Sequence, residues 1–156
     1  RNGRPGRAMS ADIAAIAAAL CDAWSRRDAD TLCALWDFSD PDAFYLAAEN
    51  TGRLIGAEAI RAYIVQGCRA LEHIDLDAGR IHARPLGDTL GLAFFPMRWR
   101  VKAKERAPFG GELRVTVLMR KIAGAWRVFH YAEAPLAPII QLQHFYEGIA
   151  AEGFPP

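Results

Sequence analysis

The chain has 156 residues, 52% of them hydrophobic and 24% charged, with a formal net charge of +1. That is one domain's worth of sequence with enough apolar residues for a core, and its near-neutral balance argues against disorder and against a polyanion such as nucleic acid as the main partner. No apolar run approaches the roughly 20 residues of a membrane span, because Asp12, Asp22 and Arg26 interrupt the Ala-rich start, so a cytoplasmic protein with no membrane partner is expected.

The opening "RNGRPGRAMS" is basic, rich in Gly and Pro, and lacks the apolar stretch of a secretory signal. Residues 1–9 read as a leader or cloning remnant, and residues 10–156 as a single domain. From Ser10, a plausible N-cap, Ile13, Ile16, Leu20 and Trp24 recur at helical spacing up to Arg26 and Arg27. Asp28 then caps a short second helix carrying Leu32, Leu35 and Trp36. "DFSDPD" is a loop, residues 42–48 a strand, "ENTGR" a turn, and residues 57–70 a third helix. Beyond it the period becomes two. Strands are expected over 74–86, 89–104, 111–122 and 125–134, joined by the short turns "LGD", "ERAPFGG" and "AGA", with a bend at Pro96. An amphipathic helix over 137–151 closes the chain. Helices first and an antiparallel meander afterwards make an α+β fold.

Cys21, Cys33 and Cys68 form no CxxC and leave an odd count, which suits buried reduced thiols. His73, His82, His130 and His144 have no ligand spacing, so no metal site is expected. Arg98, Arg100, Lys102 and Lys104 alternate along one strand, as on a solvated sheet face balanced by Glu105 and Glu112.

The order of "AWSRRDADTLCALW", "GAEAIRAYI", "LGDTLGLAF" and "GAWRVFHYAEAP" resembles the nuclear transport factor 2-like superfamily, particularly its SnoaL-like and ketosteroid isomerase-like members. The resemblance implies a cone: a curved antiparallel sheet wrapped around N-terminal helices, enclosing a pocket, with the final helix as an addition. It also implies that the outer sheet face often forms a dimer. Laid against ketosteroid isomerase without gaps, the oxyanion-hole tyrosine falls on Leu20, the general base on Ala47 and the oxyanion aspartate on Val117. None of these can donate the required hydrogen bond or accept the proton. The pocket aspartate of limonene epoxide hydrolase falls near Tyr131.

If position 47 faces the cavity as the resemblance implies, alternation along the strands turns Tyr45, Glu49, Phe95, Met97, Trp99, Val115, Val117, Met119, Phe129, Tyr131 and Glu133 inward. Leu20, Trp24, Trp36 and Tyr63 join the ligand-binding set from the helices. Tyr45, Glu49, Tyr131 and Glu133 are the candidate acid–base groups in this mostly apolar lining. Each has an alternative reading: core tyrosines with satisfied hydroxyls, a solvated turn residue for Glu49, a strand-end cap for Glu133. His130 shares the opposite face with Trp126, Val128 and Leu118, where a dimer would bury them, and is catalytic only if a bulge reverses the strand. Two functions fit. One is a cofactor-free isomerase, cyclase, dehydratase or hydrolase acting on a small apolar or cyclic molecule. The other is a non-catalytic ligand-binding or assembly module with the same cavity, and both are expected to be homodimeric.

Overall fold

A computed structural model describes residues 4–135, so the expected helix over 137–151 lies outside the described residues. Two helices come first, α1 (Arg4–Ser25) and α2 (Ala29–Ala34), and a third, α3 (Gly56–Ala70), follows the first two strands. The strands are β1 (Phe44–Leu46), β2 (Leu54–Ile55), β3 (Leu71–Ala78), β4 (His82–Pro85), β5 (Leu90–Ala103), β6 (Phe109–Ile122) and β7 (Ala125–Pro135). They form one sheet in the order β2-β1-β7-β6-β5-β3, with β4 also on β5. The α+β expectation holds, with one departure: β1 runs parallel to β7, placing Tyr45 beside Tyr131.

α1 begins earlier than the sequence suggested. Ser10 is an interior helical residue whose hydroxyl donates to the Gly6 carbonyl at 2.9 Å, so it is not an N-cap. The stretch Gly6–Ser25 is long and apolar enough to cross a membrane by length and composition, contrary to expectation. Its apolar face is occupied otherwise: Ile13, Ala17, Leu20, Cys21 and Trp24 are buried against the sheet, as in a core helix. Asp28 does cap α2, accepting from the Thr31 amide at 2.9 Å and from its hydroxyl at 2.6 Å. Those bonds hold its carboxyl below the usual range.

The strand expected over 74–86 breaks into β3 and β4 because of its neighbour. Pro96 offers no N–H toward that edge, so the ladder cannot continue past it. The Gly79 amide takes the Pro96 carbonyl at 2.8 Å, and a Cβ on Gly79 would sit 2.9 Å from Pro96 Cγ. β4 pairs with β5 on one side of this corner and β3 on the other.

On β7 the register slips between Leu118 and Met119 of β6: Leu118 faces His130, but Met119 faces Val128. Phe129 is the extra residue of a bulge, and it reverses the expected alternation. Trp126 and Val128, expected outside, are buried in the core at 4% and 0% exposure. Phe129, expected inside, meets the Arg120 guanidinium at 4.2 Å. Arg120 also binds Asp40 at 2.6 Å and approaches the buried Asp37 at 3.5 Å, clasping the loop after α2 to the sheet. The basic strip on β5 is a solvated face: Arg98, Arg100 and Lys102 pair with Glu112, Asp75 and Glu72. Exposed pairs of this kind contribute little to stability.

Candidate active site

A cavity of about 630 Å³ opens at the end of the sheet where β5, β6 and β7 reach the C-terminal turns of α3. Its walls are Trp24 of α1, Tyr63, Gln66, Gly67 and Ala70 of α3, Leu71, Ile74 and Leu76 of β3, Met97, Trp99 and Val101 of β5, and Phe109 and Leu113 of β6. The i, i+3/i+4 spacing along α3 turns Tyr63, Gln66, Gly67 and Ala70 to one side. At Gly67 an added Cβ would come within 3.1 Å of the Trp24 ring, so the glycine lets the indole lie against the helix. Trp99 and Phe109 meet edge to face at 5.5 Å, with Phe109 55% exposed at the rim.

The polar end is built where β1 runs beside β7. Tyr45, Ala48, Glu49 and Glu133 reach the cavity there. Tyr131 donates its hydroxyl to Glu133 Oε1 at 2.8 Å, and the Ala48 amide donates to Oε2 at 2.9 Å. Tyr63 donates to the exposed Glu49. Tyr45 lies between those two phenols, its ring 4.6 Å from that of Tyr131 and 4.9 Å from that of Tyr63. Of the three phenols, Tyr63 and Tyr131 donate to carboxylates, and Tyr45 does not.

Burial dominates the electrostatics. It raises the Glu133 pKa, aided by Glu49 and opposed by the bonds from Ala48 and Tyr131. Burial likewise holds Tyr45 and Tyr131 well above the usual phenol value, with Glu133 adding to both. Tyr63 is raised by burial and by its bond to Glu49. Cys21, buried behind this end with its Sγ 3.8 Å from Met97 Sδ, is pushed up to about 12, chiefly by burial.

The structure brings together Tyr45, Glu49, Glu133, Trp24, Tyr63, Met97 and Trp99 of the sequence-predicted set. Tyr131 touches the site through Glu133 from behind, without lining the cavity. Leu20, Trp36, Phe95, Val117 and Met119 are packed in the core and do not line this cavity, because side chains of α1 and α2 fill that half of the cone. Phe129 is removed by the bulge, and His130 lies on the outer face, its ring 4.1 Å from that of Phe44 and its pKa lowered by burial. The lining residues missed include the next inward positions toward the rim, Val101 after Trp99 and Leu113 before Val115, together with the last turns of α3, the β3 wall, Ala48 and Phe109. Extending the alternation to the strand ends would have found the first two.

Residues 13–138 match the SnoaL-like domain. The chain belongs to that family. Among curated proteins none matches the sequence. Solved structures do. A candidate dehydratase of the NTF2-like family from Streptomyces avermitilis superposes with a TM-score of 0.75 at 15% identity, over 85% of this chain and 99% of that one. A ketosteroid isomerase-like protein from Erwinia carotovora atroseptica gives 0.68 at 15% identity, over 83% and 97%. A candidate calcium/calmodulin-dependent protein kinase II association domain from Xanthomonas campestris gives 0.68 at 15% identity, over 80% and 85%. At such identities these likenesses establish the fold alone.

Proposed function

We propose that this SnoaL-like chain is a cavity enzyme performing cofactor-free acid–base chemistry on a small, largely apolar molecule, by isomerisation, cyclisation, dehydration or hydration. One observation carries the reading: Glu133 is a carboxyl desolvated in an apolar cavity, held by Tyr131 and Ala48. A carboxyl whose pKa is raised holds its proton to higher pH, and so serves as an acid that can give it to a leaving hydroxyl or a carbonyl oxygen. Glu49, solvated at the mouth, is the base that takes a proton from carbon. Tyr45, whose proton is not committed to a carboxylate, donates to the substrate oxygen. In the dehydration case the substrate loses a C–H proton to Glu49 and hydroxide to the Glu133 proton, leaving a double bond and water.

The direct test is a carbon-13 titration of glutamate-labelled protein, assigned by Glu133→Gln. Glu133 is expected to titrate above the ordinary glutamate value of about 4.3; a normal or depressed value would remove the acid. Stability follows the same sign. A carboxyl with a raised folded pKa gives a contribution that is complete below about pH 4.3 and lost as pH rises through the folded value. Wild type should therefore lose stability relative to Glu133→Gln across that window, read from melting temperatures at successive pH values.

The second reading, a binding or assembly module, draws on the kinase-association neighbour and on the outer sheet face. With Trp126 and Val128 inside, that face still carries a row of Phe44, His130, Leu118 and Leu92 in register across β1, β7, β6 and β5, flanked by Phe94, 41% exposed. An apolar row of this kind favours a homodimer in either reading. Light scattering should give twice the 17.2 kDa chain mass; the monomer mass, or a dimer insensitive to Leu118→Glu, would reject this interface.

A further inference from the structure

We infer that the cavity takes an organic ammonium: a compact apolar body bearing a protonated amine or quaternary ammonium, seated between Glu49 and Glu133 against the Tyr45 and Tyr63 rings. The inference rests on the reading of this cavity as a small-molecule site, and not on the catalytic roles given above.

Among the described residues the lining contains two carboxylates and no lysine, arginine or histidine. Neither carboxylate forms a salt bridge among the described residues, where every ion pair involves other acids. Outside the described residues the cationic side chains of the sequence are Arg1 and His144, and residues 136–156 contain no lysine or arginine. Buried carboxylates are ordinarily neutralised or paired. Burial favours the protonated form of Glu133, and a ligand cation beside it would favour the ionised one. The groups facing Glu133 from every neighbouring element are acidic or neutral: Tyr45 and Glu49 from β1 and its following turn, Tyr131 from its own strand, Tyr63 from α3 and Cys21 from α1.

Two further features suit a cation. The walls present Trp24, Tyr45, Tyr63, Trp99 and Phe109, and aromatic faces attract ammonium groups most where water is excluded. Tyr45 is only 4% exposed and lines the cavity, so its ring offers a desolvated face to a cation. An ammonium favours the ionised form of Glu133, so its uptake at a pH where Glu133 carries its proton expels that proton, and an ammonium substrate meets Glu133 as a base instead of an acid.

Adamantylamine, adamantanol and adamantanecarboxylate share one body and differ in charge, and calorimetric titration of the full chain with each at neutral pH is the test. The amine should bind about tenfold tighter than the alcohol or better, and the carboxylate more weakly than either. Titration of the amine in buffers of different ionisation enthalpy should show proton release. In Glu133→Gln, and separately in the exposed-site variant Glu49→Gln, the amine-to-alcohol affinity ratio should fall severalfold toward one. Equal binding of amine and alcohol, or tightest binding of the carboxylate, overturns the ammonium assignment and leaves the small-molecule site standing. So does a charge preference that both variants retain, because it would place the cation elsewhere. Absence of binding by all three overturns the assignment and the cavity reading together.

Discussion

Phe95→Ala is expected to lower the unfolding free energy by about 3–5 kcal/mol, the usual cost of deleting a buried aromatic ring. Phe95 is 0% exposed, pairs in register with Val115 of β6, and lies in the half of the cone filled by α1 and α2. The hole left behind is walled by packed side chains and cannot collapse fully. Trp99→Ala, two inward positions further along β5, should behave differently. Trp99 is half-buried, with one side toward the cavity and its ring against Phe109. Its loss enlarges an existing cavity that water can enter, so the stability cost is smaller and the effect on ligand affinity larger. Urea denaturation of the two variants, alongside binding of an adamantyl ligand, separates the roles. Should Phe95→Ala weaken binding more than Trp99→Ala does, the ligand reaches deeper than the rim-side cavity described above.

That contrast marks where sequence reasoning carried and where it stopped. Period-two alternation placed Phe95, Met97, Trp99, Val115, Val117 and Met119 on the inner face correctly, because β5 and β6 pair without a slip from Leu90 to Val101. It could not say which of these meet ligand, since that depends on how far Ile13, Leu20, Leu32 and Trp36 fill the cone. Packing of helices on a sheet is set by residues distant in sequence, and alternation within one strand carries no trace of it. On β7 the same reasoning failed at a single residue. The bulge at Phe129 lies where pairing passes from β1, beside His130 to Ala132, to the stretch at Trp36 that bridges Val128. Its cause is therefore in the neighbouring chain segments. Pro96 was a visible signal read onto the wrong strand: it leaves β5 continuous and breaks the partner between β3 and β4.

Glu133→Gln should reduce turnover of the enzyme's substrate by about 10²–10⁴-fold, the typical contribution of a positioned general acid or base. Gln keeps the size: its carbonyl oxygen still accepts from the Ala48 amide, and its NH2 donates to the Tyr131 hydroxyl, which turns to accept, so the fold and the cavity shape are retained. What it lacks is a transferable proton. Glu49→Gln should cause a loss of similar size through the base, with less effect on stability because Glu49 is exposed. Tyr131→Phe is a positioning change: it removes a hydrogen bond that lowers the Glu133 pKa. The acid then stays protonated to higher pH, and the alkaline limb of the rate profile that reports Glu133 should move upward while the maximal rate changes less. A lost packing contact would not shift that limb. The assay is a panel of hydroxy ketones and unsaturated ketones incubated with protein and followed by mass spectrometry for water loss, water gain or isomerisation. Every product should disappear with Glu133→Gln. A product formed at the wild-type rate by that variant would mean that the buried carboxyl gives no proton to the reaction, and the site would then be read as a binding pocket.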